Sequence, residues 1–405
     1  MERQILHIDV NNAFLSWTAV EMLKNGSKID IRTIPCIIGG DEQRRSGIVL
    51  AKSMKAKMCG VVTAETIYQA KRKCPNLQVF PGLEYRKYQE YSNKLYNLLL
   101  EYTDKIERYS IDECFLDMTE YLMKDSLLNK AKEINKRVRE ELGFTVNIGV
   151  AHNKLLAKMA SDFTKPDRIH TLFENEISTK MWNLPTSELF MLGKKTVPKL
   201  YNMRIKTIGD LAKTDRELLS KKFGKHGNLM WEYANGIDNS EVIYKTELPK
   251  SIGNSVTLPR DIEKIDEIEQ VLLALTEQVC YRLRKYDLLA KCVSVQLRTS
   301  NFEDSSHQGQ LDSETANTKE IYKKAKELLY GLYKKGISIR LVGVRVDKLV
   351  GKDEIQLSFF SKQGDEKQEK LDKTIDNLKE KYGYNFITRA GKMNVEEIVK
   401  IKGKK

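Results

Sequence analysis

The order β-α-β-β-α-β occurs twice in this chain of 405 residues, and it restricts the fold more than any other feature of the sequence. In the first copy, residues 4–10 alternate as a buried strand, residues 105–118 form a hairpin, residues 126–142 form a helix and residues 145–151 form the last strand. This is the ferredoxin-like plan, whose inner strands are neighbours. The pattern therefore predicts that the end of the first strand lies beside the turn of the hairpin.

Acidic residues occupy both of these places. Asp9 ends the apolar run of the first strand, and Asp112 and Glu113 lie in the hairpin turn. Carboxylates are costly to bring together unless a cation neutralises them, and oxygen ligands suit Mg²⁺. The pattern predicts a site for two Mg²⁺ ions of the kind used in nucleotidyl transfer. Either cluster taken alone is explained as well by a strand end or a turn.

The composition favours an anionic partner. The chain has 69 Lys and Arg against 56 Asp and Glu, a net charge of +13, and nucleic acid is the first candidate. No apolar run reaches the roughly 20 residues of a membrane span, and no signal peptide is expected. The six Cys form no C-x-x-C pair and the five His complete no zinc spacing, which predicts a cytoplasmic protein without structural zinc.

The second copy of the pattern predicts a sheet with one open face. Its strands are expected at 251–257, 291–299, 307–311 and 337–347, the last with a bulge near Leu341-Val342, and its helices at 263–286 and 315–335. Two helices cover one face of such a sheet. The other face should have small and basic side chains, and it carries Ser294, Gln296, Arg298 and Arg340. Such a face suits a sugar-phosphate backbone, and an ordinary solvated face is the alternative.

Four segments lie outside these two patterns. Residues 20–80 are rich in Lys and Arg and too long for a loop, which predicts a small subdomain. Residues 176–240 are helical, with a turn at Gly193-Lys194 that could bind a phosphate. A polar linker follows around 239–250. The tail contains the apolar run Gln356–Phe360, expected to pack internally or to dock in a partner's groove, and then a helix over 366–382 with Leu371, Ile375, Leu378 and Tyr382 on one side.

Several motifs occur in one order and resemble those of the Y-family translesion DNA polymerases of the DinB or DNA polymerase IV type. They are "IDVNNAFLSW", "YSIDECFLD", "GVAHNKLLAKMASDFTKP", "LGKKTVPKLYNMRIKTIGDLA", "KSIGNSVTLPRDI" and "QLSFF". The resemblance implies an α+β, multidomain right-hand polymerase with a ferredoxin-like palm, small fingers, a helical thumb and a β-α-β-β-α-β little finger. It implies these bounds: palm 1–20 and 80–175, fingers 21–79, thumb 176–240, linker 241–250, little finger 251–350 and tail 351–405.

The resemblance also implies roles for individual residues. Asp9, Asp112, Glu113 and the backbone carbonyl of Val10 would bind two Mg²⁺. The incoming dNTP would contact Asn12, Ala13, Phe14, Lys57 and Lys165, with Phe14 as the steric gate against ribonucleotides. Primer-template DNA would contact Gly193, Lys194, Ser294, Gln296, Arg298 and Arg340. A bacterial sliding clamp would bind Gln356, Leu357, Ser358, Phe359 and Phe360 of a monomer that has no contact with a membrane.

Three segments depart from the family pattern. Asn11 replaces a frequent second acid, so that acid is not needed for metal here. Met54 and Lys57 stand where a Tyr and an Arg usually reach the triphosphate, which should weaken nucleotide binding because Lys acts as a single point charge. The thumb hairpin, at Leu192-Gly193-Lys194, lacks one usual glycine.

Two other functions compete with the polymerase. Gly39-Gly40-Asp41-Glu42 resembles the start of a diguanylate cyclase signature, but it lies in the insertion and is followed by Gln43 instead of an aromatic residue. A catalytically inactive, clamp-binding scaffold is the second alternative. The presence of all three predicted metal-binding acids argues against it.

Overall fold

The computed structural model describes residues 2–40, 47–122, 126–245, 248–352, 364–383 and 386–387, which form two compact units, Met1–Thr246 and Glu247–Lys405. The strands are β1 Ile5–Val10, β2 Cys36–Gly39, β3 Val49–Lys52, β4 Gln78–Pro81, β5 Ile106–Arg108, β6 Glu113–Asp117, β7 Val146–Ala151, β8 Ile169–Thr171, β9 Ser251–Ile262, β10 Leu288–Thr299, β11 Asp304–Thr315 and β12 Ile339–Gly351. The helices are α1 Ala13–Lys24, α2 Met54–Met58, α3 Ile67–Lys73, α4 Tyr85–Leu99, α5 Leu127–Arg137, α6 Lys154–Asp162, α7 Val197–Tyr201, α8 Ile208–Lys213, α9 Arg216–Phe223, α10 Lys225–Ala234, α11 Ile265–Lys285, α12 Thr318–Leu332 and α13 Gly364–Tyr382. Within the described part of the chain, no helix has the length and apolar character to cross a membrane.

The first unit is built around a five-stranded sheet in the order β5-β6-β1-β7-β8. Its first four members have the strand order of the ferredoxin-like plan, which confirms the prediction. Strand β1 is antiparallel to both β6 and β7, and Asp9 lies opposite Glu113 on one side and Asn147 on the other. The register therefore brings the two acidic clusters together at one end of the central strand.

Helices cover both faces of this sheet. Leu6, Ile8 and Val10 pack against α1, α4 and α5, whereas the other face packs against α6. A side chain at Gly149 would begin 1.8 Å from the backbone oxygen of Ala157, so only glycine allows α6 to approach β7 this closely. This close approach places Lys158 of α6 beside the ends of the strands.

The predicted helix over 126–142 is an α-helix that continues as a π-helical turn. Helix α5 covers Leu127–Arg137, and the π turn covers Val138–Leu142. Leu128, which the pattern placed on the buried face, is 37% exposed instead. The rest of the predicted face provides the packing, through Leu127, Ala131 and Ile134.

The segment between β1 and the hairpin forms a second, three-stranded sheet in the order β3-β2-β4. Ser53 and Thr66 cap the helices α2 and α3 with their side chains. Along β3, Val49 and Ala51 are buried, whereas Leu50 and Lys52 lie on the opposite face because strand side chains alternate. Asp41 and Glu42 of the cyclase-like tetrad lie outside the described residues.

The helices predicted within 176–240 are present and share a core with α6. The chain stays attached to this unit beyond the last of them. Asp238 accepts a hydrogen bond from the backbone N–H of Leu155 at 3.0 Å, and Val242 is 6% exposed. The first residues of the predicted linker 241–250 are thus held against the first unit, and we expect the free part to be shorter.

The second unit contains a four-stranded antiparallel sheet in the order β11-β10-β12-β9, with α11 and α12 on one face. Its elements follow the same linear pattern as the first sheet, but its first strand lies at an edge instead of in the middle. This position explains why β9 can run through Pro259, since an edge strand tolerates the missing N–H. The register of β12 shifts between Ile339 and Leu341, next to the predicted bulge.

Several predictions for this unit differ from the structure in extent or orientation, and β9 runs to Ile262 instead of ending at residue 257. Strand β11 covers Asp304–Thr315, whereas residues 307–311 were predicted. The prediction was too short because the polar residues of this strand lack the apolar alternation that marks a strand. Helix α13 exists, but its buried positions include Asp372 and Lys379, while Leu371 and Tyr382 are 49% and 53% exposed. Of the predicted apolar side, Ile375 and Leu378 are partly buried, and charged groups provide the fully buried positions.

Candidate active site

A single cleft in the first unit contains nine of the residues predicted to bind metal or nucleotide. They are Asp9, Val10, Asn12, Ala13, Phe14, Lys57, Asp112, Glu113 and Lys165. The palm-like sheet provides the acids, and the three-stranded sheet provides the opposite wall. The cleft is also lined by Leu50, Ala51, Lys52, Met54 and Thr63, of which only Met54 was considered from the sequence.

One ammonium group contacts both acidic clusters. Lys158 Nζ lies 2.8 Å from Glu113 Oε1 and 3.8 Å from Asp9 Oδ2. Lys165 Nζ also donates to Asp9 Oδ2 and lies 2.8 Å from Asp162 Oδ1. A single ammonium group therefore interacts with the carboxylates of Asp9 and Glu113 at once.

The third acid is held slightly apart from the other two. Asp112 Oδ1 accepts a hydrogen bond from Ser110 Oγ at 2.6 Å, and its backbone oxygen accepts from the N–H of Val10 at 3.0 Å. Among the described residues, three potential metal-binding groups come within 4.8 Å of one another at Glu2, His152 and Glu174, outside the cleft, and not at the three predicted acids. A shared ion would require the Asp112 side chain to turn away from Ser110.

The two inner acids differ in their electrostatic environment. Burial raises the pKa of Asp9, and the ammonium of Lys165 opposes this only in part. Burial acts in the same direction on Glu113, but the imidazole of His7 and the ammonium of Lys158 outweigh it and lower the Glu113 pKa to about 2. Glu113 is thus ionised throughout the neutral range, and binding of a cation should favour the ionised form of Asp9 as well.

His7 is a member of this cluster that the sequence reasoning missed. It is fully buried, and its Nδ1 lies 2.7 Å from Ser161 Oγ, which itself donates to the backbone oxygen of Lys158. Its Nε2 faces Glu113 Oε2 at 3.8 Å. The sequence contained one indication that His7 belongs to this cluster, because the alternation of side chains along β1 places His7 and Asp9 on the same face.

Asn11 has a structural role that explains why it is not an acid. Its Nδ2 donates to Asn147 Oδ1 at 3.0 Å, and its Oδ1 accepts from Thr145 Oγ1 at 3.0 Å and from the N–H of Asp167 at 2.8 Å. A carboxylate here could not donate to Asn147. The buried amide therefore joins β1, β7 and the segment that carries Lys165.

Phe14 is held in place by a buried tyrosine. The rings of Phe14 and Tyr88 meet edge to face, with their centroids 4.7 Å apart. The Tyr88 hydroxyl lies 3.0 Å from Thr18 Oγ1 and accepts the N–H of Leu83 at 2.9 Å. Asn12, which precedes the helix, has a left-handed backbone with a φ of 48°. This sharp turn directs the first turn of α1, and Phe14 with it, into the cleft.

The residues predicted to bind DNA lie in two places. Gly193 and Lys194 are exposed in the turn before α7 of the first unit. Ser294, Gln296 and Arg298 lie on the sheet face of the second unit that the helices leave open.

The open face has small and polar side chains, but its positive charges are largely balanced by nearby acids. Arg298 forms two hydrogen bonds with Asp304 at 2.8 Å, and Arg345 lies 2.6 Å from Asp347. Arg340, at the bulge, pairs with Asp261 at 3.2 Å. The arginines predicted to make this face basic are thus each paired with an acid, which the sequence reasoning did not consider.

Comparison with known proteins identifies the family to which the chain belongs. The impB/mucB/samB family matches residues 8–162, and the C-terminal domain of the same family matches residues 249–359. The chain is 47% identical to DNA polymerase IV of Clostridium acetobutylicum over 98% of its own length and 100% of that protein's. It is 38% identical to DNA polymerase IV of Acetivibrio thermocellus over 96% and 97% of the two lengths. The chain belongs to the Y-family DNA polymerases, DNA polymerase IV type.

A solved structure shows the same fold. A Y-family DNA polymerase chimera superimposes with a TM-score of 0.73 and 23% identity, covering 86% of this chain and 99% of its own. The predicted α+β polymerase fold and the prediction of a translesion DNA polymerase are confirmed. The cyclase and the inactive scaffold are not favoured. Polymerases of the Y family act on DNA and deoxynucleotides and generally use divalent metal ions.

Proposed function

We propose that the cleft holds two Mg²⁺ ions and catalyses the transfer of a deoxynucleotide to a primer 3′-OH on a DNA template. The register that pairs Asp9 with Glu113, together with the one ammonium that contacts both, is the observation that carries this proposal. The donor set fits the ion, because Asp9, Asp112, Glu113 and the backbone carbonyl of Val10 all offer oxygen. Bound Mg²⁺ would lower the pKa of the 3′-OH and neutralise charge on the triphosphate.

The lysines of the cleft give this site its charge balance. Lys158 is 7% exposed, and its pKa is raised because the nearby Asp162, Glu113 and Asp9 outweigh the effect of burial. It keeps its charge and orients Glu113. Lys165 is more accessible, and we propose that it leaves Asp9 to pair with triphosphate oxygens when the acids bind their ions. The backbone of Asn12 and Ala13 lies on the same wall and would position the triphosphate.

Low fidelity and tolerance of damaged templates follow from the size of the opposite wall. The three-stranded sheet presents Leu50, Ala51 and Met54 to the cleft. Because these side chains are short or flexible, they contact a new base pair loosely and exclude a mispaired base only weakly. We expect extension across damaged bases and no proofreading.

The test of this function is primer extension by the full chain with Mg²⁺ and dNTPs on two templates. One template is undamaged, and the other has an abasic site just beyond the primer end. We expect extension on both, with slower insertion opposite the abasic site. A protein that binds primer-template DNA but adds no nucleotide to either would contradict the proposal.

Phe14 should act as the steric gate against ribonucleotides. The ring is fixed by Tyr88 and cannot easily retreat from a ribose 2′-OH. Phe14→Ala should therefore raise the efficiency of ribonucleotide incorporation relative to dNTP by at least about tenfold. The measurement is kcat/KM for the matching rNTP and dNTP on one template. Phe80→Ala in the other sheet is the control for a general effect of removing an aromatic ring, and unchanged sugar choice in Phe14→Ala would contradict the role.

We also propose contacts with DNA and with a sliding clamp. Gly193 and Lys194 would bind the phosphates of primer-template DNA, and Ser294, Gln296, Arg298 and Arg340 would follow its backbone. Residues 356–360 would bind a sliding clamp, but they lie outside the described residues. A monomeric state and a cytoplasmic location remain proposals.

A further inference from the structure

The segment that carries Lys165 has no regular secondary structure. Residues 163–168, the Lys165 segment, connect the end of α6 to the start of β8 and belong to neither a helix nor a strand. The Lys165 ammonium lies near Asp9 and Asp162. The backbone groups of this segment need partners from elsewhere, and those partners decide where the ammonium begins.

A buried amide of the neighbouring strand β7 holds the segment on both sides of Lys165. Asn147 is fully buried, and its Nδ2 donates to the backbone oxygen of Thr164 at 2.8 Å and to that of Ser161 at 3.0 Å. Its Oδ1 accepts the N–H of Arg168 at 3.2 Å. One side chain therefore fixes a backbone group before Lys165 and another after it.

A second buried amide, at Asn11 after the end of β1, completes this arrangement. Its Nδ2 donates to Asn147 Oδ1 at 3.0 Å, and its Oδ1 accepts the N–H of Asp167 at 2.8 Å. Both donors of Asn147 and both lone pairs of its oxygen then have partners. The Asp167 side chain is also bound by Asn135 and Arg139, but these contacts hold only the end of the segment.

We propose that Asn11 and Asn147 are positioning residues: this buried pair of amides holds the segment in the place from which Lys165 can reach the triphosphate. The inference rests on the proposed function, in which the Lys165 ammonium leaves Asp9 for the triphosphate. Because the backbone is fixed on both sides, only the side chain of Lys165 has to move. The pair also explains why an acid does not suit position 11 of this chain, since a carboxylate would place two acceptors 3.0 Å apart.

Removal of the Asn147 side chain should weaken nucleotide binding and leave the chemical step unchanged. Asn147→Ala frees the backbone on both sides of Lys165, so the KM for dNTP should rise at least about fivefold, with kcat within about twofold. Asn153→Ala is the matched control and should keep the wild-type KM. Asn153 is also a buried asparagine, but its amide bonds to the backbone of Gly236 and Leu156.

A double-mutant cycle separates a positioning role from a general loss of stability. Lys165→Met removes the ammonium and should raise the KM for dNTP roughly tenfold. If Asn147 acts through Lys165, the variant Asn147→Ala/Lys165→Met should have a KM within about twofold of that of Lys165→Met. A KM equal to the product of the two single effects, roughly fiftyfold above the wild-type value, would overturn the inference.

A second measurement needs neither nucleotide nor catalysis. Hydrogen exchange of the full chain, read by mass spectrometry on peptides that contain residues 163–168, should be at least about tenfold faster in Asn147→Ala than in the wild type. The same peptides should exchange at the wild-type rate in Asn153→Ala. Asn11→Asp is a milder variant that keeps the side-chain volume, and it should also speed this exchange because a carboxylate cannot donate to Asn147.

The outcomes distinguish this inference from the proposed function. Wild-type exchange and a wild-type KM in Asn147→Ala would overturn the positioning role while the polymerase activity stands. Faster exchange in Asn147→Ala, together with a wild-type KM in Lys165→Met, would support the role of the two amides in holding the segment and would contradict the function proposed for Lys165.

Discussion

Asp112→Ala is expected to abolish primer extension, with a decrease in kcat of at least about 10³-fold. Asp112 is partly exposed, and in this structure its carboxylate is held by the hydroxyl of Ser110. Removing it should leave the fold intact, because the backbone hydrogen bond between Asp112 and Val10 does not depend on the side chain. A large kinetic effect without a stability effect is the signature of a catalytic role.

Single-turnover incorporation of one dNTP provides the measurement, with thermal unfolding alongside. Asp104→Ala is the control, since Asp104 is an acid before the same hairpin that accepts a hydrogen bond from Tyr121 and does not line the cleft. Ser110→Ala adds a second comparison. It should free the Asp112 carboxylate and leave activity close to that of the wild type, and equal extension by Asp112→Ala and wild type would end the claim of a metal site.

Removal of α13 is expected to cause the second large effect, a loss of at least about 3 kcal/mol in the stability of the second unit. Arg284 of α11 is 12% exposed and pairs with Asp376 at 2.6 Å and with Asp372 at 3.4 Å. Asp372 also accepts the N–H of Thr318 at the start of α12 at 3.1 Å. Termination after residue 363 would remove both of these carboxylates and uncover the surface of the second unit against which α13 packs.

A second buried pair adds to this effect. Lys379 Nζ lies 3.2 Å from Glu277 Oε2, and both side chains are less than 10% exposed. Urea unfolding of the chain ending at residue 363 should be compared with that of a chain ending at residue 387, which keeps α13. Equal stability of the two chains would show that α13 does not contribute to the second unit.

The same result changes how clamp binding should be tested. A chain cut before Gln356 loses both the predicted clamp-binding run and α13, so reduced activity would have two explanations. The double substitution Phe359→Ala/Phe360→Ala separates them, because it leaves α13 in place. We expect this double substitution to remove stimulation by the clamp and to keep basal extension. The chain ending at residue 363 is the converse variant, because it lacks α13 but keeps the predicted clamp-binding run.

The first sheet could be predicted because its strands are apolar and alternate clearly. The ferredoxin-like order then follows from one linear pattern, and with it the pairing of Asp9 and Glu113. The second sheet shows the limit of this reasoning. Its linear pattern is the same, yet β9 lies at the edge, because strand order depends on how the helices and connections pack and not on the pattern alone.

The buried polar groups of the active site were harder to predict. His7 and Lys158 occur within apolar runs, and each has a meaning only through a partner distant in sequence, Ser161 and Glu113 respectively. Lys52 appeared to be one of many lysines in a basic segment. The buried face of α13 was missed for a related reason, since ion pairs such as that of Asp372 with Arg284 leave no apolar periodicity.

In the proposed mechanism, Asp9 and Asp112 bind common divalent ions, with Glu113 beside them. A crystal structure of the full chain with primer-template DNA, a primer lacking the 3′-OH, an incoming dNTP and Mg²⁺ tests it most directly. We predict an ion in contact with carboxylate oxygens of both Asp9 and Asp112, with Asp112 turned away from Ser110 and Lys165 on the triphosphate. A complex with dNTP bound in which Asp112 remains on Ser110, and no ion contacts both aspartates, would contradict the account.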